Sequence, residues 1–312
     1  MRFSELFEEW FESLKVEGVK DSTREQYRHR WHSMEGSLGT RFIRGFGQAA
    51  AREQLMRMLN RGYGVDSCRK RMQMLRQMLR FAAQELGEDT EPTSWRLKYP
   101  LHHTRDVQCM SARDAVTLVT AVASQFQRGD FSQVAPLVAL LAGLRIGEVC
   151  GLRWEDIDRK RHMLLVRRTV TEINRGGHTE VRVTPPKTEA GWRSVPMLPQ
   201  LERALKKVGG ASPRRERYIV GGGEEPVRIE LVRQAWVRLV NRIPIKDKVN
   251  FHGLRHTFGT MMVECGNEVK TVSTIMGHAD VTTTMRLYVH PSAEKKSEAI
   301  KKAFRKIAKI KF

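Results

Sequence analysis

Apolar residues in the first ninety positions recur with a helical period. Phe3, Leu6, Phe7, Trp10, Phe11 and Leu14 fall at i, i+3, i+4, i+7, i+8 and i+11, one stripe down a single helix. A second helix is expected to open at Ser22, since Ser22 and Glu25 have the spacing of a capping box; it would bury Tyr27 and Trp31. A third is expected over Gln48 to about Asn60, and a fourth from Asp66 or Ser67 to Leu86. The fourth has an apolar face of Cys68, Met72, Leu75, Leu79, Ala82 and Leu86, and carries Arg69, Lys70, Arg71, Arg76 and Arg80 on its other side. The period then vanishes through GEDTEPTSWRLKYPLHHTRDVQ, residues 87–108, where Pro92, Pro100 and a polar composition mark a linker. Helical spacing returns at SARDAVTLVTAVASQF and VAPLVALLAG. Leu164–Ile173 and Glu180–Thr184 are β-rich and flank the glycine turn NRGGH, which predicts a hairpin; Arg193–Leu198 offers a third strand. Helical patterns resume at Leu198–Lys207, at Ile229–Ile243 and beyond Arg255. The fold expected is mainly α with a small antiparallel β-sheet (α+β). Its parts are a helical domain at 1–90, a linker at 91–108, a second domain at 109–292 and a C-terminal helix at 293–312.

Composition adds a partner to this picture. The 312 residues suit two domains at roughly 150 residues each. Fifty-five Lys and Arg against 35 Asp and Glu give a formal charge of +20, an excess that repels itself unless a polyanion neutralises it. Nucleic acid is the first candidate and an anionic membrane surface the second. The arginines of the fourth helix have few acidic neighbours one turn away, so a face against DNA phosphates or a major groove is favoured over a merely solvated one. No apolar run approaches the ~18 residues of a membrane span, and the acidic, amphipathic start MRFSELFEEWFESLK is neither a signal nor a transit peptide. Cys68, Cys109, Cys150 and Cys265 are scattered without a CxxC pair, as expected of reduced, buried thiols in a cytosolic protein without structural zinc.

Four clusters in the second half carry chemistry. In LLAGLRIGEVCGLRWEDID, Gly143 reads as a helix end and Arg145 as the start of the next helix. A cation there opposes the helix dipole, which suits an arginine kept to grip an anion, with Glu148 at i+3 to hold it; the plain alternative is a surface Arg–Glu pair. In FHGLRHTFGT, His252 and Arg255 share a helix face. His252 and His256 also have zinc spacing, but Gly253 stands where a metalloprotease helix needs glutamate, so His256 is read as a packed or supporting residue. In PPKTEAGWRSVP, Lys187 sits in a turn between strands, where a lysine is unremarkable unless a leaving group nearby needs a proton. In IMGHADVTTTMRLYVH, Gly277 admits a tight entry to His278, the threonines start a helix, and Tyr288 follows. A phenol titrates near ~10, so Tyr288 needs help to act as a nucleophile at neutral pH. GGG at 221–223 lacks the ending of a nucleotide-binding loop, Tyr218 before it reads as core, and nothing is assigned to His102 and His103.

Taken in order, R-I-G-E at Arg145–Glu148, K-T at Lys187–Thr188, H-G-L-R-H at His252–His256, G-H at Gly277–His278 and Tyr288 resemble the active-site boxes of the tyrosine recombinase (phage integrase) family. The resemblance covers residues 109–292 closely, and STREQYRHRW and SCRKRMQMLRQMLRFA more loosely resemble that family's core-binding domain. It implies a site-specific DNA recombinase whose Arg145 and Arg255 clamp one phosphate, each arginine contributing about 3 to 4 kcal/mol by analogy with an oxyanion donor. His252 would take the phenol proton, Lys187 would protonate the departing 5′ oxygen, and His278 would hydrogen-bond the phosphate or the phenol. Glu148 would orient Arg145, and Tyr288 would form a 3′-phosphotyrosine. No metal, ATP or other cofactor is implied. The partners implied are double-stranded DNA core sites, a homo-tetramer on paired sites, and in some systems an accessory DNA-bending protein; no membrane is involved. The location implied is the cytoplasm, at the nucleoid, or a host cytoplasm for a viral enzyme. A type IB topoisomerase shares the same residue logic, and a DNA-binding regulator on this fold is the non-enzymatic alternative. The tail stripe Ala299, Ile300, Ala303, Phe304, Ile307 and Ala308 would dock on its own domain, on a membrane or phosphate surface, or, as the resemblance implies, on a neighbouring protomer.

Overall fold

The computed structural model describes residues 1–90, 95–100, 108–125, 133–175, 178–210 and 213–288. The expected tail helix at 293–312 and the pair His102–His103 lie outside them. One compact unit comprises Met1–Thr104 and Ile173–Glu180, the other Arg105–Glu172 and the chain from Val181 onward.

The first unit is built on four helices, α1 (Phe3–Val16), α2 (Asp21–Leu38), α3 (Gln48–Asn60) and α4 (Val65–Glu85). All six residues of the α1 stripe are buried, and Phe7 stacks on Trp31 of α2 at 4.8 Å between ring centroids. The capping box expected at Ser22 does not form. Lys20 is the N-cap, Ser22 lies inside the first turn, and Glu25 pairs with Arg28 at 2.6 Å. Asp21 occupies that first turn instead, where a carboxylate suits the helix dipole, and pairs with Arg24. On α4, Met74 and Met78 widen the buried face, while Leu86 falls past the last helical residue and is exposed. Part of the expected linker belongs to this core. Trp95 is buried with its ring 5.7 Å from that of Phe46, and Leu97 and Tyr99 pack beside it.

Beyond Arg105 the order is α5 (Ala112–Gln125), α6 (Val134–Ala142), α7 (Ile146–Gly151), β1 (Ile157–Asp158), β2 (Met163–Val166), β3 (Thr169–Arg175), β4 (His178–Thr184) and β5 (Arg193–Pro196). There follow α8 (Pro199–Gly209), α9 (Ile229–Arg242), α10 (Phe251–Glu264), α11 (Val269–Met276) and α12 (Val281–Tyr288). The nearly all-apolar α6 is buried and packs along α10, so α10 is held at the centre of the second core. The single strand expected at 164–173 is two. The chain leaves the sheet at Arg167 and Arg168, where Arg168 is drawn to Asp156 at 2.6 Å. The first part, β2, pairs antiparallel with β1 and β5, Leu164 opposite Val195; the second, β3, pairs with β4. The third strand therefore extends the sheet of β2 and not the hairpin.

Two of the cysteines depart from the buried expectation. Cys68 and Cys150 are buried, and burial pushes the Cys150 thiol up to about 12, but Cys109 is half-buried and Cys265, at the end of α10, is exposed. No helix among the described residues is long and apolar enough to cross a membrane.

Candidate active site

Residues from three separate stretches meet around one carboxylate. Arg145 caps α7, and Glu148, one turn in, accepts both its backbone N–H at 2.8 Å and its Nη1 at 2.8 Å. Arg193, at the start of β5, grips the same carboxylate with two bonds of 3.0 and 2.8 Å, both side chains only 5% exposed. Arg255 on α10 donates Nη1 to the carbonyl of Gly143 at 2.8 Å and stands 3.9 Å from Glu148. Burial alone would raise the Glu148 pKa, but the hydrogen bonds and charge of Arg193, then Arg145, hold it down at about 2. The Arg255 guanidinium is pushed down to about 9 by burial and by the charge of Arg145, and its Nη2 is buried without a hydrogen-bond partner among the described residues. A buried cation with an unused donor is costly unless an anion completes it. Arg145 keeps 39% of its side chain in solvent while its Nη2 donates to the carbonyl of Gly277 at 2.7 Å, next to His278.

The imidazoles and the phenol form a second cluster of rings. Tyr288 is buried, and its hydroxyl is 2.8 Å from Nδ1 of His256. Loss of hydration, then the charges of His252 and Arg255, hold His256 down at about 4, while burial pushes Tyr288 up to about 12. Near pH 7 the imidazole is therefore neutral and the phenol protonated, so the phenol O–H donates to Nδ1. His252 is exposed, with its ring 4.5 Å from that of His256; lost hydration and the charges of Arg255 and Arg145 lower its pKa. His278 lies with its ring centroid 6.4 Å from that of Tyr288 and shares a 2.7 Å hydrogen bond with the buried Thr284. Its pKa is held at about 4 by lost hydration and the surrounding arginines. Gly259 makes room for the phenol, since a Cβ there would lie 2.7 Å from the tyrosine Cζ.

Residues 109–295 match the model of the phage integrase family. The chain belongs to that family. The "Tyrosine recombinase XerA" of Pyrococcus horikoshii is 27% identical over 304 residues, covering 96% of this chain and 94% of that protein. A "Tyrosine recombinase XerC-like" protein of Caldanaerobacter subterraneus subsp. tengcongensis is 30% identical over 188 residues, but that match spans 53% of this chain and 46% of the relative. In fold, the chain is similar to a Tn1549 transposon integrase in complex with transposon right end DNA. The TM-score is 0.78 at 21% identity, covering 97% of this chain and 99% of the other.

In this integrase-family chain Lys187 is exposed and lines one cleft together with Arg145, Glu148, Thr188, Gly277 and Ala279. Of the residues that the sequence reading assigned to the site, Arg145 and Arg255 reach Glu148, Lys187 lines the cleft of Arg145, and His252, His278 and Tyr288 gather around His256. Two members of the site were not foreseen. His256, taken for a packed or supporting residue, is the group on the phenol, and Arg193 was given no role. The five basic residues of α4 divide. Arg69, Lys70 and Arg80 are exposed, Arg69 lying 3.5 Å from Asp66. Arg71 and Arg76 are half-buried ties within the first unit. Arg71 donates to Ser33 at 2.9 Å and lies over Tyr63, and Arg76 donates to the Trp95 carbonyl.

Proposed function

We propose that this protein is a site-specific DNA recombinase that cuts and rejoins strands through a 3′-phosphotyrosine on Tyr288. What carries the reading is the unpartnered Nη2 of buried Arg255 beside the half-exposed Arg145, next to a cleft that also holds Lys187. A backbone phosphate is the anion that such a pair grips, each guanidinium offering two donors. Tyr288 Oη attacks phosphorus in line with the 5′ oxygen. As the P–O bond forms the phenol becomes acidic, and its proton passes to the His256–His252 pair. The 5′ oxygen leaves with a proton from Lys187. Arg145 and Arg255 stabilise the pentavalent charge, where a donor of this kind supplies about 3 to 4 kcal/mol, and His278 adds a further donor. The phosphotyrosine ester is close in energy to the diester it replaces, so a 5′-hydroxyl from either strand reverses the step and reseals DNA without ATP.

The partners are double-stranded DNA core sites and a homo-tetramer on paired sites, with an accessory DNA-bending protein in systems that need one. The protein works in the cytoplasm at the nucleoid, or in a host cytoplasm if viral. The +20 charge supports a DNA partner, as do exposed Arg69, Lys70 and Arg80 on α4. The test is adduct trapping on a nicked duplex taken from the flanks of the gene. Wild type is expected to give a covalent protein–DNA band on a denaturing gel. Tyr288→Phe should bind with nearly unchanged affinity and give none; a persistent band would assign the attack to another side chain.

A further inference from the structure

The Arg193 side chain is buried, at 5% exposure, and it connects three parts of the site. Its Nη1 and Nη2 clasp Glu148, its Nε donates to the Ile275 carbonyl at 2.7 Å, and Nη1 also reaches the Gly191 carbonyl at 3.3 Å, beside the Lys187 turn. Gly277, with φ +67°, is shaped to this side chain, since a Cβ there would lie 2.8 Å from Arg193 Nη1. The arithmetic of charge is as informative as the contacts. Arg145, Arg193 and Arg255 surround a single carboxylate, so three positive charges meet one negative charge. Because Glu148 stays ionised down to about pH 2, its charge must be answered from within the protein. Two-bond pairing with one arginine leaves the other two charges for a ligand.

We propose that Arg193 is a positioning residue that neutralises Glu148 and so keeps the charges of Arg145 and Arg255 available to the phosphate. The idea rests on the recombinase reading above. Without Arg193 the carboxylate would remain buried and ionised, and its nearest cations would be Arg145, already at 2.8 Å, and Arg255, at 3.9 Å. It would close on them and compete with DNA for the same guanidinium donors.

The test is a cycle of Arg193→Met, Glu148→Gln and the double variant, read by single-turnover adduct formation on the nicked duplex from the gene flanks, with far-UV circular dichroism to follow folding. Arg193→Met should slow adduct formation by about 100-fold, the scale of losing one oriented donor. Adding Glu148→Gln should restore at least about tenfold of that rate, because the competing charge is gone and the amide can still accept from Arg145. Arg193→Lys keeps the charge and is expected to lose only about tenfold and to gain nothing from Glu148→Gln. If Arg193 served only to tie β5 to the end of α11, the losses would add and Glu148→Gln would rescue nothing; that result overturns the proposal. Should Arg193→Met fail to fold, the lysine pair decides alone: a gain from Glu148→Gln in that background would show that charge balance is not what the arginine supplies. A wild type without adduct would instead sink the recombinase reading itself, a different and visible failure.

Discussion

Replacing His256 tests the contact that most directly concerns the nucleophile. In the folded protein the phenol of Tyr288 is buried and donates to Nδ1 of His256 at 2.8 Å. His256→Ala removes that acceptor. A buried donor left without a partner costs about 1 to 3 kcal/mol, and the same loss of orientation in the attack step corresponds to roughly 5- to 150-fold in rate, at 1.36 kcal/mol per decade. Asparagine can place its side-chain oxygen near the position of Nδ1, so His256→Asn is expected to stay within about fivefold of wild type. Two measurements separate position from stability. Adduct formation under single-turnover conditions gives the rate, and a thermal melt gives the ground-state cost, with about 2 to 4 °C for each kcal/mol in a protein of this size. Equilibrium binding to the same duplex should be unchanged, because the contact lies inside the protein. A wild-type rate in His256→Ala would mean that the phenol leaves His256 before it reacts. An asparagine variant as slow as the alanine one would mean that ring volume, and not the acceptor, is what matters.

Gly259→Ala would press a methyl group against the tyrosine ring, 2.7 Å from Cζ and 2.8 Å from Cε2. It should cost about 1 to 3 kcal/mol in a melt and slow adduct formation without weakening DNA binding; an unchanged rate would show that the ring is not held at that spot during attack. Lys187→Ala should be rescued on DNA carrying sulfur at the scissile 5′ bridge, where a thiolate leaves without a proton, and equal losses on both substrates would remove Lys187 from that role. In the DNA-free protein, proton NMR should find His256 and His278 titrating well below the ordinary imidazole range, near 4 as their surroundings dictate. The unfolded chain takes up protons from about 6.5 downward while the fold resists them, so stability should fall as pH drops from about 6.5 towards 4; a melting temperature that rises over that interval would contradict the burial. On α4, Lys70→Ala should weaken DNA binding and lower the salt slope by about one, whereas Arg71→Ala, which loses its bond to Ser33, should show mainly as a lower melting temperature. The reverse pattern would exchange the roles of the two residues.

What could be read from the sequence is what depends on short-range spacing. Arg145 and Glu148 are one turn apart, and the helix start that brings them together is written in four consecutive residues after a glycine. His252 and Arg255 are likewise fixed by one helix. The α4 face was legible by the same period, except at Leu86, where the helix had already ended. What was not legible depends on which distant segment meets each of these. His252, His256 and Arg255 sit within one turn and a half, and the helix alone does not say which imidazole receives the phenol. That choice is made by the line along which α12 lies on α10, and the available signal was Gly259. A glycine inside a helix costs about 1 kcal/mol relative to alanine, so one retained on the same side as His256 marks a place where another group must come close.

Arg193 carried a stronger signal of the same kind. Side chains alternate along a strand, so residues two apart share a face. In WRSVP the apolar Val195 belongs inside, and it is buried at 1% exposure opposite Leu164. Arg193 must then point inward as well. An arginine on the buried face of a strand cannot shed its charge, and it requires a carboxylate of its own. Glu148 was already marked by its place beside Arg145, and was assumed to have one arginine to serve. Alternation in β5 implies a second, and with it a carboxylate shared among arginines from separate elements, as Arg145, Arg193 and Arg255 share Glu148.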